Sequence, residues 1–295
     1  MHFQKVAHLF SLLKHSKIQS ISTTETLSQN IQLDIKRDDL IHPIISGNKW
    51  RKLKYLLLEV EAKGYKKIAV MGGQYSNLLH TLSYISMLLG WQVELYVRAH
   101  KGQKLTPMLH DAIRWGAKIQ NVDRATFREY RESKPNLEDD TYWISEGAFD
   151  QLAVKGSIES LMELNEQYDY LLIACATGTS LAGYCAGVSR LALTTKVVGV
   201  SVLKNDDEIE RHVALLAGGD EKPIVINDYD FGGYAKRNDQ LLRFISQFES
   251  EQGIPLEPVY NGKSFYAAMD LIKQGYFLEG SKILLIHCGG MQGAR

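Results

Sequence analysis

At 295 residues the chain is long enough to bury a large core, as one large domain or two of ordinary size. Lysine plus arginine and aspartate plus glutamate both number 34, so no net field points to nucleic acid or to an anionic membrane. Hydrophobic residues make up 45%, yet no uninterrupted apolar run approaches the roughly 18 residues of a membrane span. The start, MHFQKVAHLFSLLKHSK, lacks a continuous apolar core and a small-residue cleavage site, so no secretory signal is expected. Cys175, Cys185 and Cys288 lie far apart without a CxxC pair, which argues against a disulfide framework or a structural zinc site and makes the cytoplasm the default.

In chain order, the first strong signal is Ser46-Gly47-Asn48-Lys49-Trp50-Arg51-Lys52-Leu53. Glycine and asparagine break the preceding segment, and Trp50, Leu53, Leu57 and Val60 recur at helical spacing up to Gly64. Lys49 then falls in the first turn, where the positive end of the helix dipole disfavours its charge. That suits an amine that must lose a proton and act as a nucleophile, although a solvated basic helix start fits the same spacing. Lys67–Met71 reads as a buried strand and Leu78–Leu89 as a helix closed by Gly90. Val93–Val97 is a strand, Leu105–Trp115 a helix and Lys118–Val122 a strand. Residues 123–140, highly charged and containing Pro135, read as a surface excursion. Tyr142–Ile144, Tyr170–Cys175, Lys196–Val202 and Lys282–His287 are further strands. Helices are predicted over Ile158–Tyr168, Leu181–Leu193, Asp206–Ala217, Asn238–Gln252 and Ser264–Gln274. Such alternation predicts an α/β fold of βαβ units with mainly parallel sheets, and the lack of a linker means that any two lobes are interleaved.

In open α/β sheets ligands sit beyond the carboxyl ends of strands. The loop Gly72-Gly73-Gln74-Tyr75-Ser76-Asn77 follows a strand, and its serine and asparagine can cap the next helix or serve a ligand. The loop Ala176-Thr177-Gly178-Thr179-Ser180 offers a glycine, three hydroxyls and a helix start, a cradle for an anion or simply a capped helix. Neither the dinucleotide GxGxxG pattern nor the P-loop pattern is present, and Gly262-Lys263-Ser264 lacks the upstream glycine a P-loop needs. A phosphate site outside both nucleotide classes, with a lysine nucleophile, points to pyridoxal 5′-phosphate.

Five stretches taken together carry a resemblance: Ser46–Leu53, Gln74–Asn77, Thr177–Gly183, Pro258-Val259-Tyr260-Asn261-Gly262-Lys263 and His287-Cys288-Gly289-Gly290. In this order they resemble the signatures of the 1-aminocyclopropane-1-carboxylate deaminase / D-cysteine desulfhydrase family of pyridoxal-phosphate enzymes, over about residues 30 to 290. The resemblance implies two interleaved three-layer α/β/α lobes of the tryptophan-synthase-β-like type (fold type II), with residues 1–51 and 159–295 forming a large cofactor domain and 52–158 a small one. It implies a homodimer acting on a small amino acid, with no nucleic-acid or membrane partner. Lys49 matches the lysine that carries the cofactor and moves a proton. Lys52 matches a basic residue near its phosphate, Asn77 the partner of its ring hydroxyl, and Ser76 a hydroxyl beside the substrate. Thr177, Gly178, Thr179 and Ser180 match the phosphate loop, although relatives usually have a glycine where Thr179 stands. Tyr260 matches a tyrosine near the reacting atoms, and Tyr234 more loosely a second one; taken alone, either reads as a core aromatic.

Asn261 matches the residue that approaches the cofactor's ring nitrogen. Deaminases of the family resemble one another in having glutamate there, and desulfhydrases tend to have threonine. A carboxylate keeps that nitrogen protonated and the ring a strong electron sink, whereas an amide carries no charge and can donate to an unprotonated nitrogen. Opening an unactivated cyclopropane calls for the strong sink, and loss of a thiol does not. Asn261 therefore implies β-elimination of the D-cysteine desulfhydrase kind, with ring opening as the alternative and a non-catalytic vitamin-binding protein as the alternative of another class. Leu78 replaces a commonly polar residue, and Cys288, counted with the cofactor site, replaces a threonine as a buried thiol. His287 reads equally as a satisfied strand-end histidine. The helix expected after Gly290 is short or missing, since the sequence stops at Arg295.

Overall fold

The computed structural model describes residues 5–100, 102–204, 208–218 and 223–294. From the N-terminus come α1 (Lys5–Ser11), β1 (Lys17–Ile21), α2 (Thr24–Ser28), β2 (Gln32–Arg37) and α3 (Gly47–Ala62). Next are β3 (Lys67–Gly73), α4 (Asn77–Leu89), β4 (Gln92–Arg98), α5 (Pro107–Arg114), β5 (Lys118–Val122), α6 (Arg124–Glu132) and β6 (Thr141–Ile144). Then follow α7 (Gln151–Met162), β7 (Tyr170–Cys175), α8 (Thr179–Arg190), β8 (Lys196–Ser201), α9 (Glu208–Ala217) and β9 (Ile224–Ile226). The last are α10 (Asp239–Gln252), α11 (Asn261–Lys273) and β10 (Lys282–Ile286), before a 3₁₀ turn at Met291–Ala294.

The strands form two sheets, one ordered β1-β2-β10-β7-β8-β9 and one ordered β5-β4-β3-β6. All pairings are parallel except β1 with β2. The second sheet is built from chain lying between β2 and β7, so the two are interleaved, as the lack of a linker predicts. Alternation along the strands makes the first sheet apolar on both faces. Leu171, Ile173, Leu284 and Ile286 pack with α7, α8 and α9, while Tyr170, Leu172, Ile283 and Leu285 pack with α10 and α11. In the second sheet Ile68, Val70, Val93, Leu95 and Val97 pack with α3, α4 and α5. No helix among the described residues is long and apolar enough to cross a membrane.

Several boundaries differ from the sequence expectation. The charged 123–140 stretch holds α6, capped where the Asp123 carboxylate accepts from the Thr126 N–H and anchored by the buried Phe127. The helix expected at 158–168 begins at Gln151, where Asp150 caps it, and stops at Met162. Asp206 lies outside the described residues, and α9 runs from Glu208. β2 has no counterpart in the sequence expectation, since Asp34 and Lys36 break its apolar pattern, yet both are buried.

Candidate active site

Parallel strands end in loops at Gly73, Cys175 and Ile286, and the start of α3 meets the last of these. Gly47 has φ +64, and a Cβ there would lie 1.8 Å from the Cys288 carbonyl oxygen, so this close approach requires glycine. Lys49 follows in the first turn of α3, buried, with Nζ bonded to Asn48 Oδ1 and 5.3 Å from the centre of the Tyr260 ring. Burial pushes its amine below the ordinary lysine range, with Cys288 and Glu257 pulling the other way. Asn48 Nδ2 reaches Ser180 Oγ at 3.2 Å, tying the lysine's turn to the loop after β7.

In that loop Gly178 is the N-cap residue of α8, without a side-chain cap and without an acid in the first turn. Thr177 Oγ1 and Thr179 Oγ1 stand 3.3 Å apart, and Thr179 and Ser180 are buried. Uncapped amides beside three hydroxyls form an anion cradle. Lys52 stands next to it, buried, donating from Nζ to the Gly147 carbonyl at 3.0 Å. Thr177 packs so closely on Gly147 that a Cβ there would meet Thr177 Oγ1 at 2.1 Å. Burial and the neighbouring Lys49 push the Lys52 amine down to about 7.

After β3, Ser76 is the N-cap residue of α4 but makes no side-chain capping bond, so of the two roles open to it the cap is not taken up. Its hydroxyl lies back over Gly72 instead. Asn77 is buried, and its Oδ1 has no hydrogen-bond partner. Such an orphan costs free energy unless something satisfies it. Gly290 packs on the same amide, where a Cβ would come within 2.2 Å of Nδ2.

Tyr260 precedes α11, and its hydroxyl donates to that of Tyr234 at 3.2 Å. Burial raises both phenols well above their ordinary value. Asn261 is fully buried and its amide is oriented by its partners: Nδ2 donates to Gly289 O at 2.8 Å and Glu257 Oε1 at 3.1 Å, while Oδ1 accepts from Cys288 N–H at 2.7 Å. Both amide protons are therefore used, so the donor role expected of Asn261 is closed. What remains open is a lone pair on Oδ1. The Cys288 thiol is buried and pushed up to about 12, chiefly by burial, which keeps it protonated. His287 accepts from Gly289 N–H at Nδ1 and bonds Pro255 O through Nε2, a satisfied neutral ring.

Sequence reasoning missed Glu257. Fully buried, it accepts from the N–H groups of Val259, Tyr260 and Asn261 at 2.6, 2.9 and 2.6 Å. Burial raises its carboxyl above the usual range, against those hydrogen bonds. An acid just ahead of a helix start was the available signal.

A family model described as pyridoxal-phosphate dependent enzyme matches residues 19–289. The bifunctional D-cysteine desulfhydrase/1-aminocyclopropane-1-carboxylate deaminase, mitochondrial, of Arabidopsis thaliana is 30% identical over 302 residues, covering 90% of this chain and 74% of that one. The 1-aminocyclopropane-1-carboxylate deaminase of Allorhizobium ampelinum is 27% identical over 301 residues, covering 90% of this chain and 89% of that one. A solved structure described as an ACC deaminase homologue is 28% identical, with a TM-score of 0.78 over 99% of this chain and 96% of that one.

Proposed function

The chain belongs to the family of pyridoxal-phosphate-dependent enzymes, and from that premise we propose a deaminating lyase of the D-cysteine desulfhydrase kind, in which cysteine and water give pyruvate, ammonia and hydrogen sulfide. The observation that carries β-elimination is the lack of charge at Asn261: an amide held in place by Glu257, Gly289 and Cys288 brings no carboxylate to stabilise a protonated ring nitrogen. No carboxylate occupies position 261, and Glu257 behind it is bound by three backbone N–H groups.

The orphaned Asn77 Oδ1, the uncapped start of α8 and the buried Lys49 and Lys52 fit the cofactor's ring hydroxyl, phosphate and aldehyde. When bound, the cofactor supplies an electron sink for the bond-breaking step. Thr177, Gly178, Thr179 and Ser180 hold its phosphate, and Lys52 offsets the phosphate charge. Asn77 accepts from the ring hydroxyl, and Ser76 orients the substrate carboxylate. Lys49 would carry the cofactor and, as the free amine, take the substrate α proton at Nζ; burial lowers its basicity and so favours the neutral, proton-accepting form. Tyr260, paired with Tyr234, passes a proton towards the departing sulfur.

The names of the relatives favour a second reading, ring opening of 1-aminocyclopropane-1-carboxylate to 2-oxobutyrate and ammonia. Incubation with each amino acid and assay of pyruvate, sulfide and 2-oxobutyrate separates the two. Sulfide with pyruvate from D-cysteine is the expected result. Release of 2-oxobutyrate alone would replace it with the deaminase reading, and a cofactor-loaded protein that turns over neither would leave a vitamin-binding protein.

Anion binding beside Lys52 carries its own pH signature. Free, the Lys52 amine titrates at about 7; an anion in contact raises that value, so binding above pH 7 takes up a proton. Sulfate, which does not titrate in this range, is expected to bind the apoprotein more weakly as pH rises past 7, by up to about tenfold per unit. Calorimetric titration from about pH 6 to 8.5 reads this out, and Lys52→Met should flatten the dependence.

A further inference from the structure

We propose that Lys263 is a positioning residue for the active-site tyrosine pair: its buried Nζ clamps the backbone turn at Asp230–Gly233 and thereby fixes Tyr234 against Tyr260. The proposal rests on the reading of these tyrosines as residues beside the reacting atoms.

Lys263 is fully buried, and Nζ donates to the carbonyls of Asp230 and Gly233, both at 2.7 Å. The turn between them closes on itself through Gly233 N–H to Asp230 O at 3.0 Å and Gly232 N–H to Asp230 Oδ1 at 2.7 Å. Phe231 and Ala235 have φ 51 and 57, left-handed values that non-glycine residues adopt at a cost. A segment with two such residues needs support from outside, and α11 supplies it. Tyr229 Oη donates to Asp270 at 2.9 Å, and the Phe231 ring meets that of Tyr266 edge-on at 5.1 Å. Lys263, in the first turn of α11, is the anchor that binds the residue next to Tyr234, at the Gly233 carbonyl.

The consequence is geometric. The same turn of α11 that follows Tyr260 also grips the loop carrying Tyr234. The rings lie 6.0 Å apart at 71°, with their hydroxyls bonded. Tyr234 also reaches the end of β3, where a Cβ on Gly73 would stand 3.5 Å from its ring. Release of the clamp therefore loosens the contact of Tyr234 both with Tyr260 and with the loop that bears Ser76 and Asn77. Burial pushes the Lys263 amine down to about 8, against the pull of Asp230 and Glu257. A neutral amine keeps two N–H groups, enough for both carbonyls, so the clamp survives loss of the charge.

The test compares Lys263→Met, Tyr234→Phe and the double variant, each as holoenzyme. Hydrogen exchange followed by mass spectrometry should show the 230–236 amides of Lys263→Met exchanging about tenfold faster, with α8 unchanged. With D-cysteine, kcat should fall about tenfold in each single variant at nearly constant KM, and the double variant should be no slower than the worse single one. Unchanged exchange at 230–236, exchange raised throughout the protein, or losses that multiply in the double variant would each overturn the proposal. Should Lys263→Met not fold, Lys263→Gln, which keeps an N–H donor on a shorter stem, carries the same comparison. If the wild-type protein cleaves neither amino acid, the functional reading fails, while the exchange measurement still decides the clamp.

Discussion

Lys49→Ala is expected to lower kcat/KM by roughly 10,000-fold or more, because it removes both the covalent attachment point and the base that takes the substrate proton. The expectation rests on where the side chain sits. Lys49 lies one turn into α3, buried, with the Tyr260 ring on one side and Asn48 on the other. A charged amine at a helix N-terminus opposes the dipole, and burial depresses its basicity further. Both effects favour the neutral, nucleophilic form. The chemical readout is separate from turnover: after borohydride reduction and denaturation, the wild-type chain should retain the cofactor, and Lys49→Ala should release all of it. Lys52→Ala is the control, since its amine reaches Gly147 on the phosphate side; it should lose affinity and keep the covalent link. A reduced, covalent adduct persisting in Lys49→Ala would move the attachment to another lysine and sink the assignment.

What the sequence made legible divides along physical lines. β3, β7 and β10 were visible as continuous apolar runs because helices or neighbouring core cover them on both sides. The loops after β3 and β7 were visible because glycine and hydroxyl residues punctuate them. β2 was not, because its buried charged groups find partners more than a hundred residues away: Lys36 pairs with Glu163 at 2.7 Å, and Asp34 accepts from the Tyr168 hydroxyl at 2.9 Å. α6 was hidden by its charges, since Phe127 is its one buried residue. The same limit applies in the site. Lys49, Ser76, Asn77 and the Thr177–Ser180 loop each belong to a local pattern. Glu257 under Asn261, Lys52 on Gly147 and Lys263 under Tyr234 act through contacts that only the fold brings together. The orientation of the Asn261 amide is of this second kind: residue type fixed the lack of charge, and the neighbours Gly289 and Cys288 fixed which atom remains open.

The largest loss of stability is expected from Asp38→Asn. Asp38 is fully buried at the end of β2, accepting from Arg51 at 3.0 and 3.3 Å with Lys36 3.7 Å away. Glu163, the residue after α7, completes the group, bonded to Lys36 and to Arg51 Nη2, each at 2.7 Å. Replacing one acid leaves two buried cations sharing a single, partly exposed carboxylate, and removing one partner of a buried pair costs about 3 to 5 kcal/mol. Urea unfolding at neutral pH, with the slope unchanged, measures it. The exposed pair Lys67–Glu138 is the contrast, and Glu138→Gln should leave the midpoint where it is. The sign of the pH effect follows from the carboxyls. Burial pushes Asp38 up, but Arg51 and Lys36 outweigh it and hold the group below its ordinary 3.8. Glu163 is likewise held below 4.5 by Arg51 and Lys36 against burial. A depressed carboxyl stabilises the fold above its unfolded value and loses that stabilisation as pH falls through its folded value. Wild-type stability should therefore drop below about pH 4, and Asp38→Asn should flatten part of that acid limb. The same substitution reaches the site, because Arg51 holds the first turns of α3 against β2 and α7. Lys49 and Lys52 flank that residue, so a slackened network should weaken cofactor retention in step with stability, whereas Glu138→Gln should alter neither.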